Sequence, residues 1–297
     1  MQVATTNINK SKNRVASSLG QRTRHLAFLP YAVFLFIFLI WPGLYVFRQA
    51  LNQSAGERNP MIEAVTGQYR SSFIFSLQVS FISSAIGLVI GSAVAIAIMQ
   101  LADVRGLRNI LVGYSSVAAK MGGIPLAFAF LAAFGMQGLA TRLLKEINID
   151  IIGWGFKISD FWGIVLVYLY FQIPLMTLVL VPALDGLRRT WAEAAQSLGA
   201  TVSQYWRFIA LPILTPAILG GFLLLVANAF AAYATAYALS SGGSKLVPVQ
   251  IRFFLQGETI TGKSNLGYAL AAWMVIITAM LVAGFQVMTR RAERWRQ

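Results

Sequence analysis

Six long apolar segments constrain the fold of this 297-residue chain more than any other feature. They run over Ala27–Phe47, Ser71–Met99, Ile110–Phe134, Phe161–Leu184, Ile213–Leu239 and Leu266–Met288. Each is near or above the roughly 20 residues that cross about 30 Å of hydrocarbon as a helix. Within a bilayer only helices and closed barrels satisfy their own backbone groups, and these runs lack the alternation of a barrel strand. The expected architecture is therefore an all-α membrane protein of six transmembrane helices. Composition agrees: with 57% hydrophobic and 11% charged residues, the chain carries more apolar surface than a soluble domain of this length encloses.

The net charge of +14 raises the question of a nucleic-acid partner. The basic residues lie at the chain ends and in loops between apolar runs, without the compact stripe and interleaved aromatics of such a surface. Anionic lipid headgroups are the expected counter-charge, and no nucleic acid is expected. Lys and Arg also orient the chain. Fourteen fall on the side holding both termini, the second loop (Arg105, Arg108) and the fourth loop (Arg188, Arg189, Arg207); nine fall on the other side, and Lys120 is left inside the membrane. Both termini are then cytoplasmic. The N-terminal segment also has the basic-then-apolar order of a secretory signal, but its apolar run is too long, and Trp41-Pro42 stands where small residues would be needed for cleavage. The first helix is expected to stay attached. Zero cysteines exclude disulfides and thiolate metal sites, and the single histidine, His25, reads as a solvated residue of the basic N-terminal segment.

The fourth loop carries the pattern with the most chemical content. Helix formers Trp191 to Gln196 follow the turn-like Asp185-Gly186, which predicts a short surface helix. Gly199 is expected to end it, because glycine takes a positive φ without a Cβ penalty and lets the chain double back. From Thr201 to Ile209, Val202, Tyr205, Trp206 and Ile209 recur at helical spacing and predict an amphipathic helix. Leu211-Pro212 is expected to start the next membrane helix. Small residues at Ala194 and Ala195 could seat closely in a partner's groove, with Glu193 as a charge that fixes register.

Glu193-Ala194-Ala195, then Gly199, then Ile209-Ala210-Leu211-Pro212, resembles the cytoplasmic EAA signature of permease subunits of bacterial ATP-binding-cassette importers. The resemblance covers about residues 71–288, with the first helix as an additional span. It implies the type I importer permease fold, with the loop as a coupling helix in a cleft of a cytoplasmic ATPase dimer that binds ATP and Mg. It also implies a second permease subunit, a different chain in the polyamine-type group, and a periplasmic solute-binding protein. This chain would itself carry no cofactor, no metal and no catalytic residue, and would lie in the bacterial inner membrane. The ATPase-coupling residues carried over are Glu193, Ala194, Ala195, Gly199, Ile209, Leu211 and Pro212. Overall length, the proline-containing first helix and the segment Ala269-Leu270-Ala271-Ala272-Trp273-Met274 resemble the polyamine-type permeases, which ranks a polyamine-like solute first. Ferric iron, thiamine and aminoethylphosphonate are alternatives within the group.

The organisation that follows has a cytoplasmic tail at 1–25, the first helix and an outer loop at 26–70, a five-helix core at 71–289 with the coupling loop at 185–212, and a basic cytoplasmic tail at 290–297. Gly257 to Ser264 satisfies the phosphate-loop pattern GxxxxGK[ST], after a Val247–Leu255 run that looks extended. It reads as an outer turn, because too few residues lie outside the membrane to build the sheet that presents such a loop. Inside the spans, Ser83, Gly87, Gly91 and Ala95 recur every fourth residue and predict close helix packing. Lys120 needs a partner, a water-filled cavity or a route to the cytoplasmic surface, the last being the preferred reading. Gly122-Gly123 and Pro125 break the helical pattern beside it, so Lys120 to Pro125 is expected to border the solute pathway. Gln172 and Asn228 are further pathway candidates, with a helix-to-helix hydrogen bond as the other role for each. An ion-coupled secondary transporter is the alternative function, but it normally requires intramembrane acids and no Asp or Glu lies well inside a span.

Overall fold

The structure is a computed structural model that describes residues 29–52, 59–101, 105–240, 245–256 and 264–294. The N-terminal tail with His25, and the phosphate-loop lookalike up to Lys263, lie outside the described residues. Every regular element among the described residues is helical. In chain order they are α1 (Leu29–Leu51), α2 (Pro60–Val65), α3 (Gly67–Gln100), α4 (Arg105–Ala118), α5 (Ile124–Phe134), α6 (Leu139–Glu146), α7 (Phe161–Asp185), α8 (Arg189–Ser197), α9 (Val202–Ala231), α10 (Tyr233–Ser240), α11 (Val247–Leu255) and α12 (Ser264–Arg294). Six stretches are long and apolar enough to cross a membrane: α1, Tyr69–Gln100 in α3, Ile124–Glu146, α7, α9 and Ser264–Arg290 in α12.

α7 is the hub. Its apolar window is 61% buried, against none of α1's, so α7 is wrapped by α3, α4 and α9 while α1 stays peripheral beside α12. The close approach of α3 to α7 depends on the small residues at every fourth position. A Cβ on Gly91 would meet the Ile173 carbonyl oxygen and Met176 Cβ at 2.7 Å, and one on Gly87 would meet Gln172 Cβ at 2.9 Å. Ser83 and Ala95 are fully buried on the same face, so this stripe packs helices. Outside the bundle, Trp273 Nε1 donates to the Met61 carbonyl and Asn265 Nδ2 to the Asn52 carbonyl, which pins the segment after α1 to α12.

The helices depart from the sequence expectation where backbone hydrogen bonding forces them to. Leu211-Pro212 does not start a helix: α9 begins at Val202 and runs 30 residues into the membrane. Pro212 is accommodated because the turn before it, Trp206–Ala210, is π-helical, with Leu211 N–H donating to the Trp206 carbonyl. A proline cannot donate to the i−4 carbonyl and its ring collides with that group, and a widened turn moves the carbonyl aside. The same device recurs in α1, where the π-helical turn Phe36–Ile40 precedes Trp41-Pro42. The third span is not one helix over 110–134, because α4 stops at Ala118 and α5 starts at Ile124. The fifth does not run unbroken to Leu239 but breaks at Ala232. Val247–Leu255 is a helix and not an extended strand. Pro248 occupies its first turn, and the Val247 N–H, which no helical carbonyl can reach, donates to Ser76 Oγ at 2.9 Å. At the C-terminus α12 continues through Arg294, past the expected boundary at 289.

Candidate coupling loop and membrane breaks

The loop between α7 and α9 folds as a helix, a reversal and a second helix. α8 ends in a Schellman motif: Ala200 N–H donates to the Ala195 carbonyl and Gly199 N–H to the Gln196 carbonyl, both at 2.9 Å, with Gly199 at φ +77°. No heavy atom lies within 4 Å of a Cβ placed on Gly199, so glycine is required there by backbone conformation and not by crowding. Thr201 opens α9 with a capping box. Its hydroxyl accepts from Gln204 N–H at 3.3 Å while Gln204 Oε1 accepts from Thr201 N–H at 2.7 Å. Sequence reading had identified the reversal at Gly199 but not this cap.

The residues of the signature do not share one face. Glu193 and Ala194 are exposed, whereas Ala195 is only 6% exposed and turns inward. Ala195 therefore serves the close fit of α8 on its own chain, in contrast to the expected seat in a partner. The outward face carries Glu193, Ala194 and Ser197 and ends on Leu198, 88% exposed. Leu198 was not singled out from the sequence, although an apolar residue beside the reversing glycine was the available signal. Ile209 is partly buried and Leu211 exposed, and both flank Pro212 at the π-helical turn.

Beneath α8 the packing is loose. One cavity of about 480 Å³ lies between the ends of α3 and α7 and the start of α9, and another of about 280 Å³ separates Trp191 from Pro182, Ile213 and Phe285. One ion pair ties this region to α4, with Arg108 Nη2 and Asp185 Oδ2 2.5 Å apart. Both groups are partly exposed, so the pair fixes register while adding at most about 1 kcal/mol.

The two broken spans meet. Gly123, at φ +87°, donates its N–H to Thr235 Oγ1 on α10 at 2.7 Å. The carbonyl of Ala232, at the second break, accepts from the buried Tyr168 hydroxyl at 2.9 Å. Side chains thus satisfy backbone groups that the interruptions release, as non-helical backbone in a membrane requires. Lys120 is exposed at the first break. It lies twelve residues beyond Arg108, about 18 Å along a helix axis. That distance exceeds the reach of its four-carbon stem back to the Arg108–Asp185 level. Asn228 is exposed on α9. Gln172, by contrast, is fully buried, and its Nε2 donates to Ser84 Oγ at 2.8 Å and to the Leu225 carbonyl at 3.2 Å. This is the helix-to-helix role that the sequence left open for it.

Known proteins are similar to this chain in sequence and in fold. The trehalose/maltose transport system permease protein MalF of Thermococcus litoralis is 23% identical, over 96% of this chain and 99% of its own. The spermidine/putrescine transport system permease protein PotC of Haemophilus influenzae is 25% identical, over 73% of this chain and 76% of its own. Among solved structures, a bacterial ABC transporter involved in import of the acidic polysaccharide alginate superposes with a TM-score of 0.69 at 18% identity. That match covers 94% of this chain and 99% of the other. A family model, binding-protein-dependent transport system inner membrane component, matches residues 87–295, a span that holds α7, the loop and both breaks. The chain therefore belongs to the family of inner membrane components of binding-protein-dependent transport systems.

Proposed function

We propose that this chain is the permease subunit of an ATP-driven importer, which moves a small polar solute from a periplasmic binding protein to the cytoplasm. The observation that carries this reading is the α8 loop. A short helix presents Glu193, Ala194 and Leu198 outward, is fixed by a Schellman motif and a capping box, and sits over cavities of about 480 and 280 Å³. Closure of a cytoplasmic ATPase dimer on that helix would be passed through the continuous α9 to the break at Ala232, switching access from one side to the other. ATP and Mg belong to the ATPase, and this chain holds no cofactor. Both termini are cytoplasmic, and a second, different permease chain completes the pathway. Asp160 stands at the N-cap position of α7 and Asp185 is its last residue, so neither offers an ion-coupled mechanism an acid inside the span.

Uptake by proteoliposomes holding the complete transporter and its binding protein tests this reading. It should require internal ATP and survive ionophores that collapse ion gradients; uptake driven by a gradient without ATP would establish the secondary transporter instead.

The solute class turns on Lys120. Resemblance ranks a polyamine-like solute first, and relatives are named for trehalose/maltose, spermidine/putrescine, molybdenum and sulfate transport. A lysine at a break bordering the route repels a polycation and suits an anion or a neutral solute. In the series Lys120, Lys120→Gln and Lys120→Glu, uptake of an anionic solute should fall stepwise. A rise in spermidine uptake across the series, from a measurable wild-type rate, would favour the polyamine reading.

A further inference from the structure

The cavity of about 480 Å³ under the coupling helix has a lining that the docking role does not use. Met99 and Leu184, at the inner ends of α3 and α7, supply aliphatic wall, and Tyr205 and Trp206 of α9 supply aromatic wall. Arg188, the N-cap residue of α8, and Arg189, its first residue, line the cavity as well and bring two positive charges to its rim. The carboxylate in the lining, Asp185, is held by Arg108 of α4. Arg188 lies over the Trp191 ring, 5.7 Å from its centroid, a contact that leaves its charge uncompensated. No carboxylate of the described residues lies within ion-pair distance of Arg188 or Arg189. The cavity therefore joins an excess of positive charge to an apolar wall, at the ends of α3 and α7.

We propose that this cavity binds an anionic phospholipid of the cytoplasmic leaflet, with its phosphate on Arg188 and Arg189 and its acyl stem along Met99 and Leu184. A guanidinium matches two phosphate oxygens at once. Tyr and Trp are the side chains that settle at headgroup depth, where an aromatic body and a polar tip meet different solvents. A soluble anion would use the arginines and gain nothing from the apolar wall, whereas a lipid uses both. Ala192 and Gln196 of α8 also line the cavity. The bound lipid thus touches the coupling helix from behind, and leaflet composition becomes a variable that sets its position. The inference rests on the cytoplasmic placement of the loop and not on the solute.

Native mass spectrometry of the complete transporter, titrated with phosphatidylglycerol or phosphatidylethanolamine, tests it. Phosphatidylglycerol should bind at least fivefold more tightly. The preference should vanish in the double variant Arg188→Gln/Arg189→Gln and persist in Arg142→Gln, a charge change in α6 away from the cavity. Met99→Trp, which fills the wall and keeps both charges, should also lose the lipid, so the test survives if the double variant fails to fold. Three results would overturn the proposal: no preference between the lipids, a preference retained by both cavity variants, or displacement of phosphatidylglycerol by inorganic phosphate alone. Lipid bound to the chain but expelled on assembly with the ATPase would assign the cavity to that interface and also overturn it. Failure of an ATPase to assemble would count against the importer reading, while the titration on the chain in nanodiscs still reports on the lipid.

Discussion

Replacing Gly199 by valine isolates the geometry of the coupling loop from the stability of the bundle. Gly199 has φ +77°, and a Cβ placed there meets no heavy atom of this chain within 4 Å, so the cost of valine within the chain is chiefly conformational. A non-glycine residue in the left-handed region costs about 1–2 kcal/mol, with a β-branched one at the upper end. That cost falls on the loop alone, because Gly199 donates only to Gln196 and the reversal lies outside the membrane spans. The equilibrium between the Schellman turn and its alternatives should shift by about 5–30-fold. Asparagine, which tolerates this region, should cost least, alanine should be intermediate and valine most. The assay is ATP hydrolysed per solute imported in proteoliposomes, with thermal unfolding of the purified transporter as the control. The ratio should climb in the order Asn, Ala, Val while the unfolding temperature stays within a degree or two. Uptake unchanged by valine, or damage that ignores this order, would refute the argument from φ.

Other substitutions probe the packing and the breaks. Gly91→Leu should prevent the transporter from assembling in detergent extracts, because even a Cβ there meets the Ile173 carbonyl at 2.7 Å, and overpacking of this kind costs about 1–3 kcal/mol or more. Thr235→Val keeps shape but leaves the Gly123 N–H without its acceptor; it should lower stability by about 1–3 kcal/mol in a denaturation series, and Thr235→Ser should restore most of it. Thr201→Ala removes the cap of α9 and should cost about 1 kcal/mol, seen as faster hydrogen exchange at Val202 to Gln204 with exchange in α7 unchanged.

Much of the architecture was legible because the bilayer reduces the choices to one: an apolar run near 20 residues must be a helix. The Gly199 reversal was legible for a similar reason, since a lone glycine after strong helix formers has few other roles. What escaped the sequence depends on contacts between distant segments. Thr235 as the acceptor for Gly123, and Tyr168 for the Ala232 carbonyl, are partners 112 and 64 residues apart, and no local pattern pairs them. Pro212 misled because a proline near an expected helix start reads as its first turn. The π-helical turn that lets α9 continue past it has no composition of its own. Ala195 misled because two adjacent alanines look equivalent until the helix phase is known, after which one faces out and the other in. Val247–Leu255 looked extended from its valines, isoleucine and phenylalanines, yet the Pro248 start and the Ser76 hydroxyl settle it as a helix.

The central claim, that the α8 loop seats this chain on an ATPase, is tested most directly by co-purifying the tagged chain from its native host and assaying for a bound ATPase subunit. Wild type is compared with a variant in which residues 193–199 are scrambled. The account predicts that wild type retains the ATPase in a stable complex and that the scrambled variant, still folded and inserted, loses it. Equal retention by both, or by neither, would contradict it.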